Sequence, residues 1–456
     1  MLQNEGGTRA TEVPPSCVEW PLKKGASMNN VLAMILAGGQ GDRLSILSEQ
    51  RAKPAVVFGG HYRIVDFVLS NCANSSITKV AVLTQYRPRS LTNHIGAGRP
   101  WGFDQPDGGI QMLQPYLGRV DSDWYSGTAD AVYQNLYVIE ESRAREVLIL
   151  AGDHIYLTSY RNMVAYHRSQ AADATVAVYS VPKEDAHRFG ILDLDANGRI
   201  TDFQEKPKDP KGAWASMGVY VFNKDVLVEQ LQEDADLGEE SSHDFGKDII
   251  PRIFKTHRVF GYQHQGYWRD VGTVQSYHAA HMDLLEPRPQ LNLEDPEMKL
   301  RTAGAIQLPA KFGPGARVSE SLISPGTKVS GEVTRSVISP GVVIEEGAVI
   351  RDSIIQHNCV IRAGAVLDHV ILDKEVTVGQ GSVIGEGAMD VANFERPDIV
   401  NAGISIVGKR VVVPSRMRVG RNVVIGPGVQ DELADRAELE SGTSVHPTQI
   451  PLHLFV

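Results

Sequence analysis

The chain has 456 residues, 42% of them hydrophobic and 22% charged, with a formal net charge of −10. At roughly 100–200 residues per domain this is an ordinary globular protein of two or three domains, and the acidic balance argues against a nucleic-acid partner, which calls for a basic domain. Cys17, Cys72 and Cys359 are widely spaced without a Cys-x-x-Cys pair, and no apolar run reaches the ~20 residues of a membrane span, so a disulfide framework, a zinc site and a membrane partner are excluded and a cytoplasmic protein is expected.

Residues 1–28 are polar, lack an apolar h-region and read as a flexible tail. The apolar run Val31 to Leu36 then reads as a buried strand. It feeds Ala37-Gly38-Gly39-Gln40-Gly41-Asp42-Arg43, with Arg51-Ala52-Lys53-Pro54 shortly after. Glycines at a strand end let backbone N–H groups approach an anion, and Arg43, Arg51 and Lys53 bring cations to the same end, which makes a polyphosphate cradle. The loop is not a Walker A loop, because no Gly-Lys-Ser/Thr follows, and it lacks the third glycine of the dinucleotide fingerprint. A tight strand-to-helix turn with surface cations is the plainer alternative.

From residue 29 to 285, strand-like runs (Val80–Leu83, Val147–Ala151, Ala174–Tyr179, Val219–Phe222) alternate with helix-like stretches (Ala129–Glu141, Thr158–Ser169, Thr273–Leu285). Alternation of this kind predicts an α/β domain with a mostly parallel sheet that binds ligands at its carboxyl edge. Gly96 to Asp123 is long and rich in Gly, Pro and Asp, and reads as a functional loop. Trp124 and Tyr125 stand beside the start of the helix at Thr128, a platform for a sugar or an anion. Asp130 opens that helix as a partner of its dipole.

Asp153 ends the run Val147 to Gly152, and Asp270 lies in Tyr267-Trp268-Arg269-Asp270-Val271-Gly272 between an extended stretch and a helix. Two carboxylates with phosphate oxygens and waters suit Mg²⁺, and His154 beside Asp153 reads as structural. Asn197-Gly198 predicts a β-hairpin. In Phe203-Gln204-Glu205-Lys206-Pro207, Lys206 suits a phosphate monoester and Glu205 a sugar hydroxyl, although Glu-Lys-Pro alone is most often a solvated turn. The acidic stretch Glu233 to Glu240 reads as a solvated loop.

Residues 286–316 are Pro-rich and read as a linker. From 317 to 456 the texture changes. Ser321-Leu322-Ile323-Ser324-Pro325-Gly326 recurs as Ser336-Val337-Ile338-Ser339-Pro340-Gly341, and Val337, Ile354 and Ile371 fall seventeen residues apart. Short aliphatic strands turned by Gly, Pro, Asn or Asp every five or six residues predict a parallel β-helix, with a β-sandwich as the alternative.

These pieces in this order resemble the sugar-nucleotide pyrophosphorylases, and within them the bacterial branch that adenylylates glucose 1-phosphate. The match runs from about residue 30 to 385. It is carried most specifically by Arg51-Ala52-Lys53-Pro54-Ala55-Val56, Ser242-His243-Asp244-Phe245-Gly246 and Tyr267-Trp268-Arg269-Asp270-Val271-Gly272. The resemblance implies a Rossmann-like nucleotidyltransferase domain with a mostly parallel mixed sheet, followed by a left-handed parallel β-helix. It implies ATP and α-D-glucose 1-phosphate as substrates, Mg²⁺ on Asp153 and Asp270, and Arg43 and Lys53 on the triphosphate. Leu36, Ala37, Gly38, Gly39 and Gly41 would form the nucleotide loop. Tyr125, Gly190, Glu205, Lys206 and Ser216 would line the sugar-phosphate site, and Gln85 and Trp124 would relay the binding of sugar-phosphate or nucleotide effectors in a homotetramer.

Two departures bear on those expectations. The family's Gln-Gln pair before the arginine of the long loop is replaced by Pro115-Tyr116-Leu117-Gly118-Arg119, with Gln111 and Gln114 upstream, which leaves the choice of nucleotide open. Gln50 and His61 stand where relatives carry basic effector residues. A pyrophosphorylase using UTP or dTTP, and a silent regulatory subunit of the same fold, are the rival readings.

Overall fold

The computed structural model describes residues 27–39, 41–105, 108–115, 124–210, 212–305 and 307–448. Residues 1–26 of the expected tail, Gln40, Tyr116 to Arg119 and the last eight positions lie outside the described residues. Met28 is buried in the core, so packing begins inside the segment that reads as a tail.

The first domain is built on a nine-stranded sheet. At its centre Val31–Leu36 pairs in parallel with Lys79–Leu83 on one side and Glu146–Ala151 on the other. Ala33 and Ile35 enter one hydrophobic core and Leu32 and Met34 the other, so both faces of this strand are covered. The sheet is less parallel than alternation suggests. Trp214–Asn223 runs antiparallel to Glu146–Ala151, to Ala174–Ser180 and to Gly190–Leu194. The Asn197-Gly198 hairpin joins Gly190–Leu194 to Ile200–Glu205, with Gly198 at φ 81°.

The helix expected over Ala129–Glu141 is two, Thr128–Tyr133 and Leu136–Glu141. At the break the Asn135 amide donates to Ala131 O at 2.8 Å and to the Tyr125 hydroxyl at 3.1 Å, a side chain bonding at the break that periodicity does not register. Glu233 to Glu240 is not a solvated loop. Its first part ends the helix Lys224–Asp236, and Asp234 is buried, accepting from Arg252, Ser241 and His243.

The second domain stacks short strands into three parallel ladders, forming the hexapeptide-repeat β-helix. The seventeen-residue step is the coil: Val337 pairs with Ile354 and Ile354 with Ile371, and Val343 with Val360. The ladders begin at Lys311–Phe312, inside the segment that reads as linker. That segment is docked, not free: Leu291 and Leu300 are buried, and Arg301 N–H donates to Ser70 Oγ. Residues 385–404 interrupt the repeat, and Val400 and Ile404 from this insertion join the apolar seam between the domains. No helix among the described residues is long and apolar enough to cross a membrane.

Candidate active site

The register of the central strands sets the site. Leu36 pairs with Ala151, so the glycine loop and the Gly152-Asp153 turn leave the carboxyl edge side by side, tied by Gly152 N–H to Leu36 O at 3.0 Å. Chain continuing from Asp153 forms His154–Tyr156, whose antiparallel partner Trp268–Asp270 brings Asp270 opposite His154. Two acids 117 positions apart therefore meet by strand pairing.

Lys53 stands between them. Its Nζ lies 2.9 Å from Asp153 Oδ2 and 2.8 Å from Asp270 Oδ1. Gly41 lets the loop close onto this lysine: it holds φ 72°, and a Cβ there would lie 3.1 Å from Lys53 Cβ. Burial disfavours the Lys53 ammonium, but the two carboxylates outweigh it and hold the amine above its usual value. Burial likewise opposes ionisation of Asp270, yet Lys53, then His154 and Arg43, keep its carboxyl below the usual range; Asp153 is lowered in the same way, mainly by Lys53. Arg43 is exposed, with Nη2 beside Gly272 next to Asp270.

Asp153, His154 and Asp270 offer ligand atoms within 4.8 Å of one another. The carboxylate oxygens fit a hard divalent cation such as Mg²⁺, whereas imidazole is a ligand such an ion rarely takes. His154 Nδ1 is engaged with Met217 O at 3.1 Å, and the ring stands edge-on to Trp268.

A second row crosses three strands. Glu205 pairs with Gly190, and Ala215 with Ile191, which sets Ser216 level with Gly190. A Cβ on Gly190 would lie 2.8 Å from Glu205 Oε2. Lys206 takes φ 47° and projects into solvent, its ammonium 3.2 Å from Glu205. Because Met217 contacts His154, this row abuts the Asp153 junction.

The structure differs from expectation at the Thr128 helix. Ala129 N–H donates to His243 O at 2.7 Å, with Asp130 N–H on the same oxygen at 3.3 Å, so these donors are taken by the chain itself and not left for an anion. The Ser242-to-Gly246 motif is thus a clasp on this helix: Asp244 accepts from Thr128 Oγ1 and from Gly246 and Lys247 N–H. Asp130 accepts from Ser126 N–H and the Gln134 amide. Trp124 stacks on Tyr86 with centroids 4.8 Å apart. Gln85 packs against Gly38 and donates to Tyr125 O at 3.3 Å, joining the glycine loop to the aromatic pair.

Sequence reasoning missed Arg188, whose Nη2 is 3.7 Å from Asp270 Oδ2. A lone arginine in a turn before a strand carries no motif. Only the fold brings it to the carboxylates.

Residues 32–287 match the family model described as nucleotidyl transferase, and 308–407 the model for a GlmU-like C-terminal hexapeptide domain. The chain is a nucleotidyltransferase. It is 52% identical to the glucose-1-phosphate adenylyltransferase of Thermotoga neapolitana, covering 92% of this chain and 100% of that protein. It is 51% identical to the one of Thermomicrobium roseum (92% and 98% covered) and 45% identical to that of Acetivibrio thermocellus (91% and 97%). At this identity and coverage the chain belongs to the glucose-1-phosphate adenylyltransferase family.

Proposed function

We propose that the chain transfers AMP from ATP to α-D-glucose 1-phosphate, giving ADP-glucose and pyrophosphate for glycogen (α-glucan) synthesis. The observation that carries this reading is the Lys53–Asp153–Asp270 junction under the glycine loop, next to the Gly190–Glu205–Ser216 row. Glucose 1-phosphate needs no base: the second pKa of a phosphate monoester is near ~6, so its oxygen is already an anionic nucleophile. The difficulty is bringing two polyanions together. Backbone N–H groups from Gly38 to Gly41, Arg43 and Lys53 would neutralise the triphosphate, while Glu205, Ser216 and Lys206 would hold the sugar phosphate. Placing both partners in line can supply roughly 7–11 kcal/mol. Asp153 and Asp270 would hold Mg²⁺, which when bound supplies further charge neutralisation at the transferring phosphoryl group.

We also read the enzyme as a cytoplasmic, effector-regulated homotetramer. Free, buried Cys72 and Cys359 suit a reducing compartment. Leu308 and Phe312, exposed at the first coil, offer apolar surface for association. Anionic effectors suit the cations gathered at the domain seam. There Lys374 is pushed down to about 7 by burial and by Arg51, Arg63 and Lys409, and Arg63 to about 10 by burial. His357 is pushed to about 3 by burial, Lys374 and Arg63, and its Nδ1 is buried with no partner among the described residues. Pyrophosphate release measured with glucose 1-phosphate and each of ATP, UTP and dTTP tests the assignment. ATP should be preferred by at least about tenfold in kcat/KM. Preference for UTP or dTTP would move the chain to a different pyrophosphorylase, and no release with any of them would leave a silent subunit.

A further inference from the structure

Arg188 ends the short turn Ala186–Arg188, and the residue after it begins the approach to the sugar row. Phe189 O accepts from Lys206 N–H at 3.0 Å, so the backbone of the turn is fastened to the lysine expected on the sugar phosphate. From that anchor the Arg188 side chain reaches the other way. One nitrogen, Nη2, comes within 3.7 Å of Asp270 Oδ2, and Nη1 within 3.8 Å of Asp185 Oδ1. Both separations are too long for hydrogen bonds. Nη2 is nevertheless buried, with no acceptor among the described residues. The guanidinium also lies over the Phe189 ring, 5.5 Å from its centroid, which fixes its plane.

A buried guanidinium donor with no acceptor is costly and is uncommon in a folded protein. Here it spans the gap between Lys206 and Asp270. Of the nearby cations, Lys53 is held by both carboxylates, Lys206 stands exposed beside Glu205, and Arg43 lies exposed beside Gly272. The backbone next to Arg188 is thus tied to Lys206 while its side chain lies against Asp270, and a planar fork matches two oxygens of one phosphate as an ammonium cannot.

We propose that Arg188 is a further substrate-binding residue, whose guanidinium grips the phosphate of the sugar phosphate between Lys206 and Asp270. The role rests on the proposed function, in that it takes a sugar 1-phosphate as the acceptor substrate. It also separates the charge of Asp270 from that of the incoming phosphate, which would otherwise repel one another.

The test uses the full chain with Arg188→Gln and Arg188→Lys, measuring pyrophosphate release with each substrate varied in turn. A second readout is the rise in Tm produced by glucose 1-phosphate alone. Arg188→Gln should raise the KM for glucose 1-phosphate by about tenfold or more, leave the KM for ATP within about twofold and abolish the thermal shift. Arg188→Lys should recover part of both, since it restores charge without the fork. Should the KM for glucose 1-phosphate stay within about twofold in an active wild-type background, the role of Arg188 fails and the proposed function stands. A parallel rise in both KM values with a lowered Tm also overturns it, because Arg188 would then act only by holding Asp270. No pyrophosphate release by the unaltered chain with glucose 1-phosphate overturns the proposed function and this role together.

Discussion

Arg51 and Lys53 lie two residues apart and serve two opposite kinds of ion cluster. Arg51 turns to the β-helix, where its two terminal nitrogens meet the Asp373 carboxylate at 2.9 and 2.6 Å. Those side chains are 6% and 2% exposed, so the pair is closed. Lys53 turns to the sheet edge and meets two carboxylates, which are 36% and 12% exposed. In the first, Arg51 and Asp373 pair one to one in a buried contact, with further cations around them. The second leaves carboxylate charge facing solvent. A matched, buried pair serves architecture, whereas an unmatched, reachable one is a place for ligands.

The sharpest way to break this comparison is to remove one member from each cluster. Arg51→Met strands Asp373 at the seam and should cost about 3–5 kcal/mol of stability, read by denaturant unfolding. Asp153→Asn should do the reverse, lowering kcat by about 10²–10³-fold with little change in the unfolding midpoint. If Asp153→Asn unfolds the chain and Arg51→Met does not, the two clusters have been assigned the wrong way round. Lys206→Ala should raise the KM for glucose 1-phosphate about tenfold with a smaller effect on kcat, and a value within about twofold removes its phosphate role.

The smallest expected effect concerns the seam's surplus of positive charge. Burial first, and then Arg51 and Arg63, push Lys374 from the usual 10.5 down to about 7. Between those values the unfolded chain still holds a proton that the folded chain has released, so stability rises with pH across that window, and the penalty is fully felt below about 7. Lys374→Met should therefore raise Tm near pH 6 and leave it nearly unchanged above pH 10.5. Equal shifts at both pH values would show that lost charge is not the cause. An anion that does not titrate in this range, such as sulfate, should bind this seam more weakly at pH 8.5 than at pH 6 if it binds there, as isothermal titration would read.

Much of the site was legible because local chemistry marks it. A strand ending in glycines, an aspartate directly after an apolar run, and Asp270 in an aromatic–acid–glycine turn each carry their own signal, and the structure brings Gly41, Lys53, Asp153 and Asp270 together. Arg188 and the Asp244 clasp were not legible in that way. Arg188 belongs to no pattern, and the service of Asp244 to Thr128, from 116 residues away, is a tertiary contact. The helix break at Asn135 escaped for a related reason, since hydrophobic periodicity counts apolar positions and does not see an amide bonding to Ala131 and Tyr125.

By itself the amino-acid sequence determined the two kinds of domain, because strand–helix alternation and a seventeen-residue aliphatic repeat are properties of neighbours along the chain. It also named the carriers of charge at the sheet edge. Only the tertiary structure decided which charges face one another: that Lys53 bridges two acids, that Arg51 is spent on Asp373, and that Arg188 keeps a buried donor open beside Asp270. Pairing between residues a hundred or more positions apart depends on strand register and domain docking, and Coulomb energy depends on distance in space, which spacing along the chain does not encode.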